Sequence, residues 1–279
     1  MNIHADSKAT QQPLLQASLN YTQRMTERGF NYASEPPPGK LRTNVVSDPE
    51  TVGIYDGRAI EASIDREGFA LAQHRSAVVD LFNDDLVKSQ YYPETADLLR
   101  HHTGAARVHI FDHTTRRRQP GEVLGSGRGG VGRGPVGRVH VDHTETSGPK
   151  RLRELLGDEA EQLAKRPFAV VNVWRPAHGP LEDSPLAVAD ARTIPPEDLI
   201  GTDLIYKDRT GETYSVAYSP QHRWYFYPQM RADEVIFLKC YDSRTSVARF
   251  APHTAFENPL APADARPRES IEIRAFVFF

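Results

Sequence analysis

A chain of 279 residues, 39% hydrophobic and 25% charged, has the composition of a globular protein with enough apolar mass for a sizeable core, which excludes a chain disordered throughout. Its 34 basic against 37 acidic residues, a formal charge of -3, lack the basic excess that phosphate-backbone binding requires, so no nucleic acid partner is expected. Cys240 is the single cysteine, which excludes an intrachain disulfide and a cysteine-only metal cluster; within the apolar run VIFLKCY it reads as a core thiol in a reducing compartment.

The opening residues MNIHADSKATQQPLL show no basic stretch running into an apolar one, and no stretch of the chain reaches the roughly eighteen apolar residues of a membrane span. A cytoplasmic protein with no membrane partner is expected. Residues 1–45 are polar and carry the proline cluster EPPPGK at 35–40, which favours extended backbone and predicts an N-terminal arm. A single domain is then expected over 46–279. Between Arg66 and Lys88 the positions Phe69, Leu71, Val78, Val79, Leu81, Phe82 and Leu86 are loosely helical in spacing, and Pro93-Glu94 predicts the start of a second helix that Gly104 closes.

After Gly104 the chain becomes a series of short β-branched and aromatic runs: ARVHIFDH, VGRVHV, FAVVNVW, LAVAD, DLIYK, ETYSVAY, HRWYFYP, EVIFLKCY, SVARF and SIEIRAFVFF. Such a series predicts a sandwich or barrel. The exception is a helical insert near 149–166, where Leu152, Leu155, Leu156 and Leu163 predict two short helices broken at Gly157-Asp158. The segment GSGRGGVGRGP at 125–135 lacks a Gly-Lys-Ser/Thr ending and precedes a strand, so it reads as a flexible loop and not as a phosphate cradle. Neither the glycine-rich loop 125–137 nor the arm is assigned a role.

In GRVHVDH, residues 137–143, positions i and i+2 of a strand share a side, so His140 and Asp142 project together and His143 points away. Two His and one carboxylate on one face of iron(II) leave open positions for an oxidisable co-substrate and dioxygen. His253 in ARFAPHTAFENP is the candidate third ligand. Arg268 and Ser270 in PRESIEIR share a strand face and offer a guanidinium fork and a hydroxyl to a carboxylate. In the last strand Ile271, Ile273, Ala275 and Val277 form the face expected to bury against helices, while Arg268, Ser270, Glu272 and Arg274 form the face expected to line a polar pocket. A rival cluster is His109, Asp112 and His113, of which the two histidines would share a face. Further pocket candidates are Asn172, Arg175, His113 and Trp224, while Arg116-Arg117-Arg118 reads as a solvated turn.

The order His-x-Asp, distant His, Arg-x-Ser resembles the signature of the iron(II)/2-oxoglutarate-dependent oxygenases. The phrases VHIFDHTTRR, RVHVDHTETSGPKRLRELLGDEAEQL, FAVVNVWRPAHGPLEDSPLAVAD, RWYFYPQMRADEVIFLKCYDS, ARFAPHTAFENP and PRESIEIRAFVF are similar to the branch that includes the cephamycin 7α-hydroxylase component and the fungal gibberellin desaturase. The resemblance runs over about residues 40–279. Some relatives are labelled methyltransferases, but no glycine-rich strand-to-helix loop for S-adenosylmethionine is present.

The resemblance implies a mainly β protein with flanking helices, a double-stranded β-helix (jelly roll, cupin-like). It implies iron(II) on His140, Asp142 and His253, with 2-oxoglutarate anchored on Arg268 and Ser270. It also implies ferryl hydrogen abstraction that hydroxylates, desaturates or cyclises a small natural-product substrate of secondary metabolism, with dioxygen consumed. Two alternatives stay open: a metal-dependent hydrolase or dioxygenase without 2-oxoglutarate, and a non-catalytic jelly-roll partner subunit. The sequence also leaves open whether the chain works alone, as a homodimer or with a partner protein.

Overall fold

The apolar and alternating runs pair into two sheets. A computed structural model, which describes residues 12–119, 121, 124 and 134–279, orders nine strands in the larger sheet as β1 (Leu15–Thr22), β3 (Ser47–Asp56), β11 (Trp224–Phe226), β8 (Leu186–Ala189), β13 (His253–Ala255), β6 (His140–Val141), β10 (Thr210–Val216), β9 (Leu199–Ile205) and β2 (Gly29–Tyr32). The smaller sheet runs β4 (Phe69–Gln73), β12 (Glu234–Asp242), β7 (Phe168–Pro176), β14 (Glu269–Phe278) and β5 (Arg107–Arg117), antiparallel throughout.

β7 is buried at every position, as a strand covered on both faces must be. Val170 and Trp174 share an interior core with Val188 and Tyr225 of the larger sheet. From the opposite face of the smaller sheet, Val171, Val173, Ile271, Ile273, Ala275 and Val277 pack with Val87, Tyr91 and Leu99 of the helical layer, the outer face expected of the last strand. A third cluster, with Leu19, Ile54, Ala187, Trp224 and Phe226, covers the far face of the larger sheet. Helices, five-stranded sheet and nine-stranded sheet are thus stacked as a double-stranded β-helix, the jelly roll expected.

Several local expectations change. Residues 66–83 are not helical. Gly68, at φ 87°, turns the chain into β4, which pairs with β12 through Phe69↔Leu238 and Leu71↔Ile236, so strand pairing overrides the loose helical spacing. The helix begins at Asn83, whose side chain accepts from the amides of Asp85 and Leu86. It runs through α1 (Asp84–Leu86), a π turn (Val87–Tyr91) and α2 (Tyr92–Thr103) to Gly104 in the left-handed conformation. Pro93 lies in the first turn of α2 and Gly104 closes it, as expected, but α2 continues directly from the π turn, where the ladder is already disturbed. SVARF forms no strand, because Arg249 folds back onto the Asp242 carbonyl and Glu145. The insert forms α3 (Ser147–Leu156) and α4 (Ala160–Leu163), interrupted at Gly157 as expected.

Residues 12–45, expected as an arm, supply β1 and β2. Every second residue of β1, from Leu15 to Tyr21, is buried. Residues 1–11 of the expected arm, and residues 125–133 of the glycine-rich loop, lie outside the described residues.

Candidate metal and cosubstrate site

β6 and β13 are neighbours in the middle of the larger sheet, and their register sets His140 opposite His253. The ring centroids are 4.5 Å apart. Asp142, two residues beyond His140, brings Oδ1 to 3.4 Å from His140 Nε2. One ligand atom from each of these three residues lies within 4.8 Å of the others, the one such group found among the described residues.

The orientation of each group follows from its partners. His140 Nδ1 is 2.8 Å from the Arg138 carbonyl oxygen, and His253 Nδ1 is 3.1 Å from that of Ala251. A carbonyl only accepts, so Nδ1 carries a proton in both rings and Nε2 is the nitrogen left to face a metal. Burial, and then the neighbouring His140, push the His253 pKa below its ordinary value, which favours the neutral ring. For Asp142 burial alone would raise the pKa; the Arg274 guanidinium beside it outweighs this and holds the carboxyl well below the usual carboxylate range. Two imidazoles anchored through Nδ1 and an ionised carboxylate are the donor set that suits a non-haem iron(II) ion, so these residues fit the metal.

Arg268 is buried. Its Nε donates to Ser270 Oγ at 3.2 Å and Nη1 to the Ser184 carbonyl at 2.9 Å; Ser184 sits in the left-handed region at φ 46°. The guanidinium carbon stands 4.8 Å from the Trp174 ring centroid. Among the described residues no carboxylate forms an ion pair with it. Burial, reinforced by the like charge of Arg116, pushes its pKa down to about 9. A buried cation without a counter-ion fits an incoming carboxylate.

Asn172 joins the cluster, its amide donating to Asp142 Oδ2 at 2.7 Å. The other pocket candidates do not. Arg175 pairs with Ile271 on the helix side, where it meets the His74 ring and carbonyl and the Tyr91 ring; strand alternation separates it from Asn172. His113 also faces the helices, 2.9 Å from Tyr92 Oη and 3.2 Å from Asp84. Trp224 lies in the far-face cluster and donates to Tyr21 Oη at 2.6 Å.

The rival trio is broken up by a bulge. Asp112 pairs with Arg274 but Ile110 with Ala275, leaving Phe111 extra. His113, opposite Ile273, then faces the helices, whereas His109 is opposite Phe276 of the interior core. The expected shared face is lost. Arg116 and Arg117 belong to β5, and Arg118 is bonded to Asp183, Ser184 and Glu257, so this run is not a solvated turn. His143 is buried beside Ser147 Oγ, 3.4 Å from its Nδ1, and burial pushes its pKa down to about 4.

Sequence reasoning missed roles for Arg274 and Asp112. Arg274 Nε donates to Asp142 Oδ2 at 3.0 Å, and Nη1 donates to Asp112 Oδ1 at 3.0 Å. The period-2 pattern put Arg274 on the pocket side, but the bulge that brings Asp112 to it left no mark in the sequence pattern.

A family model described as an oxidoreductase/YMDC permease-like domain matches residues 19–278. The chain is 31% identical to the hydroxylase/desaturase efuI of Hormonema carpetanum over 97% of each protein. It is 32% identical to the Fe(II)/2-oxoglutarate-dependent dioxygenase nvfI of Aspergillus novofumigatus over 91% of this chain and 92% of that one. Among solved structures, the iron and alpha-ketoglutarate-dependent endoperoxidase NvfI matches with a TM-score of 0.84 at 30% identity, over 95% of this chain and 97% of that one.

Proposed function

The chain belongs to the iron(II)/2-oxoglutarate-dependent oxygenases of the natural-product hydroxylase and desaturase branch, and we propose that it oxidises a small natural-product molecule at carbon, with iron on His140, Asp142 and His253 and the far carboxylate of 2-oxoglutarate on Arg268 and Ser270. The observation that carries this reading is the convergence of the three ligand atoms within 4.8 Å, with both histidines presenting Nε2.

When bound, the iron lets dioxygen oxidise 2-oxoglutarate to succinate and carbon dioxide and supplies the oxidising power for a carbon-hydrogen bond. The chain's own residues prepare that chemistry. The Arg138 and Ala251 carbonyls hold the two rings by their Nδ1 protons. Arg268 offers a fixed fork to a carboxylate, and Ser270 and Ser184 keep the fork in place. Trp174, packed against Arg268, keeps water from that end. A guanidinium buried without an ion pair among the described residues also favours this reading over a hydrolase that uses no 2-oxoglutarate.

We read residues 46–279 as one oxygenase domain whose larger sheet is extended by β1 and β2 from the preceding segment. No helix among the described residues is long and apolar enough to cross a membrane. A free, buried Cys240 is in keeping with a cytoplasmic setting.

The test is turnover without added substrate. Purified protein with iron(II), 2-oxoglutarate and air is expected to release succinate slowly, and Arg268→Ala to raise the 2-oxoglutarate concentration needed. Tight iron binding with no succinate, with or without candidate substrates, would overturn the proposal.

A further inference from the structure

Asp142 is held by more than the strand it follows. The Asn172 amide donates to Asp142 Oδ2 at 2.7 Å and to Glu272 Oε1 at 3.0 Å. Arg274 donates through Nε to the same Asp142 Oδ2 at 3.0 Å and through Nη2 to Glu272 Oε2 at 3.0 Å. Asp142, Asn172, Glu272 and Arg274 therefore close a ring of hydrogen bonds. Arg274 is fixed from a third side by Asp112 Oδ1 and Thr114 Oγ1, each at 3.0 Å, on β5.

Two features show what the ring is built around. A carboxylate oxygen has about two lone-pair sites, and Asp142 Oδ2 spends both on Asn172 and Arg274. Only Oδ1, the oxygen beside His140 Nε2, remains for a cation. Asn172 meanwhile gives its amide donors to carboxylates while its own Oδ1 is buried without a partner among the described residues, an arrangement that costs stability and that packing alone does not require. The ring itself sets two largely buried carboxylates, Asp142 and Glu272, against one guanidinium, an excess of negative charge that a bound cation would offset.

We propose that Asn172 and Arg274 are positioning residues that restrict Asp142 to ligation through one oxygen, and so keep free the coordination position its second oxygen would occupy. This rests on reading His140, Asp142 and His253 as the iron site. An octahedral ion held by two imidazoles and one oxygen has three positions left, two for the 2-oxoglutarate chelate and one for dioxygen. A chelating Asp142 would leave two, so 2-oxoglutarate could bind with a position to spare for dioxygen only by displacing the second carboxylate oxygen.

The test compares wild type with Asn172→Ala, Arg274→Met and Arg274→Lys, all without oxygen. Iron bound per chain is measured first, then the affinity for 2-oxoglutarate by its visible charge-transfer band with the iron. Asn172→Ala and Arg274→Met are expected to bind about one iron each but to need about 10–100-fold more 2-oxoglutarate for the band, with Arg274→Lys in between. Should Arg274→Met fail to fold because it strands three carboxylates, Asn172→Ala decides. Variants that bind iron and titrate with 2-oxoglutarate like wild type would overturn the inference. Failure of the wild type itself to bind iron, or to give the band, would instead remove the iron-site reading.

Discussion

His140 and His253 are register partners across β6 and β13, and each is pinned by a backbone carbonyl two residues before it in its own strand approach, Arg138 and Ala251 respectively. The symmetry of this clamp means that neither imidazole has to reorganise to present Nε2. His140→Ala and His253→Ala are each expected to lose iron affinity by more than the 10–100-fold typical of removing a hydrogen-bond partner of a ligand. Equilibrium dialysis with iron(II) under nitrogen measures this directly. Wild-type affinity in either variant would place the metal elsewhere.

Arg268 predicts a trade of stability against binding. A buried cation with no ion-pair partner among the described residues costs folding energy, so Arg268→Met is expected to melt no lower than wild type in the absence of ligands. The same change removes the fork for the 2-oxoglutarate carboxylate, at about 2–4 kcal/mol, or roughly 30- to 1,000-fold in affinity. Calorimetry and ligand titration on one sample check both halves. A variant that is less stable but binds 2-oxoglutarate normally would contradict the assignment.

Stability should fall in acid in a way that His143 partly controls. Unfolded, this ring titrates near 6.5; folded, burial holds its pKa at about 4. The unfolded chain thus binds the extra proton between those values, so the stability due to the neutral ring is present above pH 6.5 and lost as the pH falls to about 4, up to about 3 kcal/mol. His143→Gln should show a shallower loss over this range in urea titrations. Equal slopes for the two proteins would count against a buried neutral His143.

Metal should act as a stabiliser. The ring gathers the carboxylates of Asp142 and Glu272 away from solvent, and a divalent ion at a hundred times its Kd adds about 2.7 kcal/mol, a shift of roughly 5–10 °C for a chain of this size. Thermal melts with manganese(II), which takes the same ligands without reacting with oxygen, are expected to show the shift in wild type and not in His253→Ala.

The interior of this fold was legible where local pattern and tertiary pairing agree. FAVVNVW and SIEIRAFVFF became β7 and β14 because continuous or alternating apolar runs satisfy two covered faces at once. The His-x-Asp pair was legible for the same reason, since one period-2 step decides which side chains converge. Segments whose partners lie far along the chain were not legible: Phe69 to Gln73 is a strand because β12 pairs with it, and Leu15 to Thr22 because β3 does. Arg175 and Trp224 stood out as polar or aromatic residues in strands, but the face each occupies gave them to the helix side and the far core. The Asp112–Arg274 contact needed a bulge at Phe111 that alternation could not foresee.

The most direct measurement is anaerobic absorption spectroscopy of the metal-stripped protein as iron(II) and then 2-oxoglutarate are added, with His253→Ala beside it. The account predicts a weak visible band that requires both additions and is absent from the variant. A wild-type protein that binds iron tightly yet shows no band with 2-oxoglutarate, or a variant that shows it undiminished, would contradict the account.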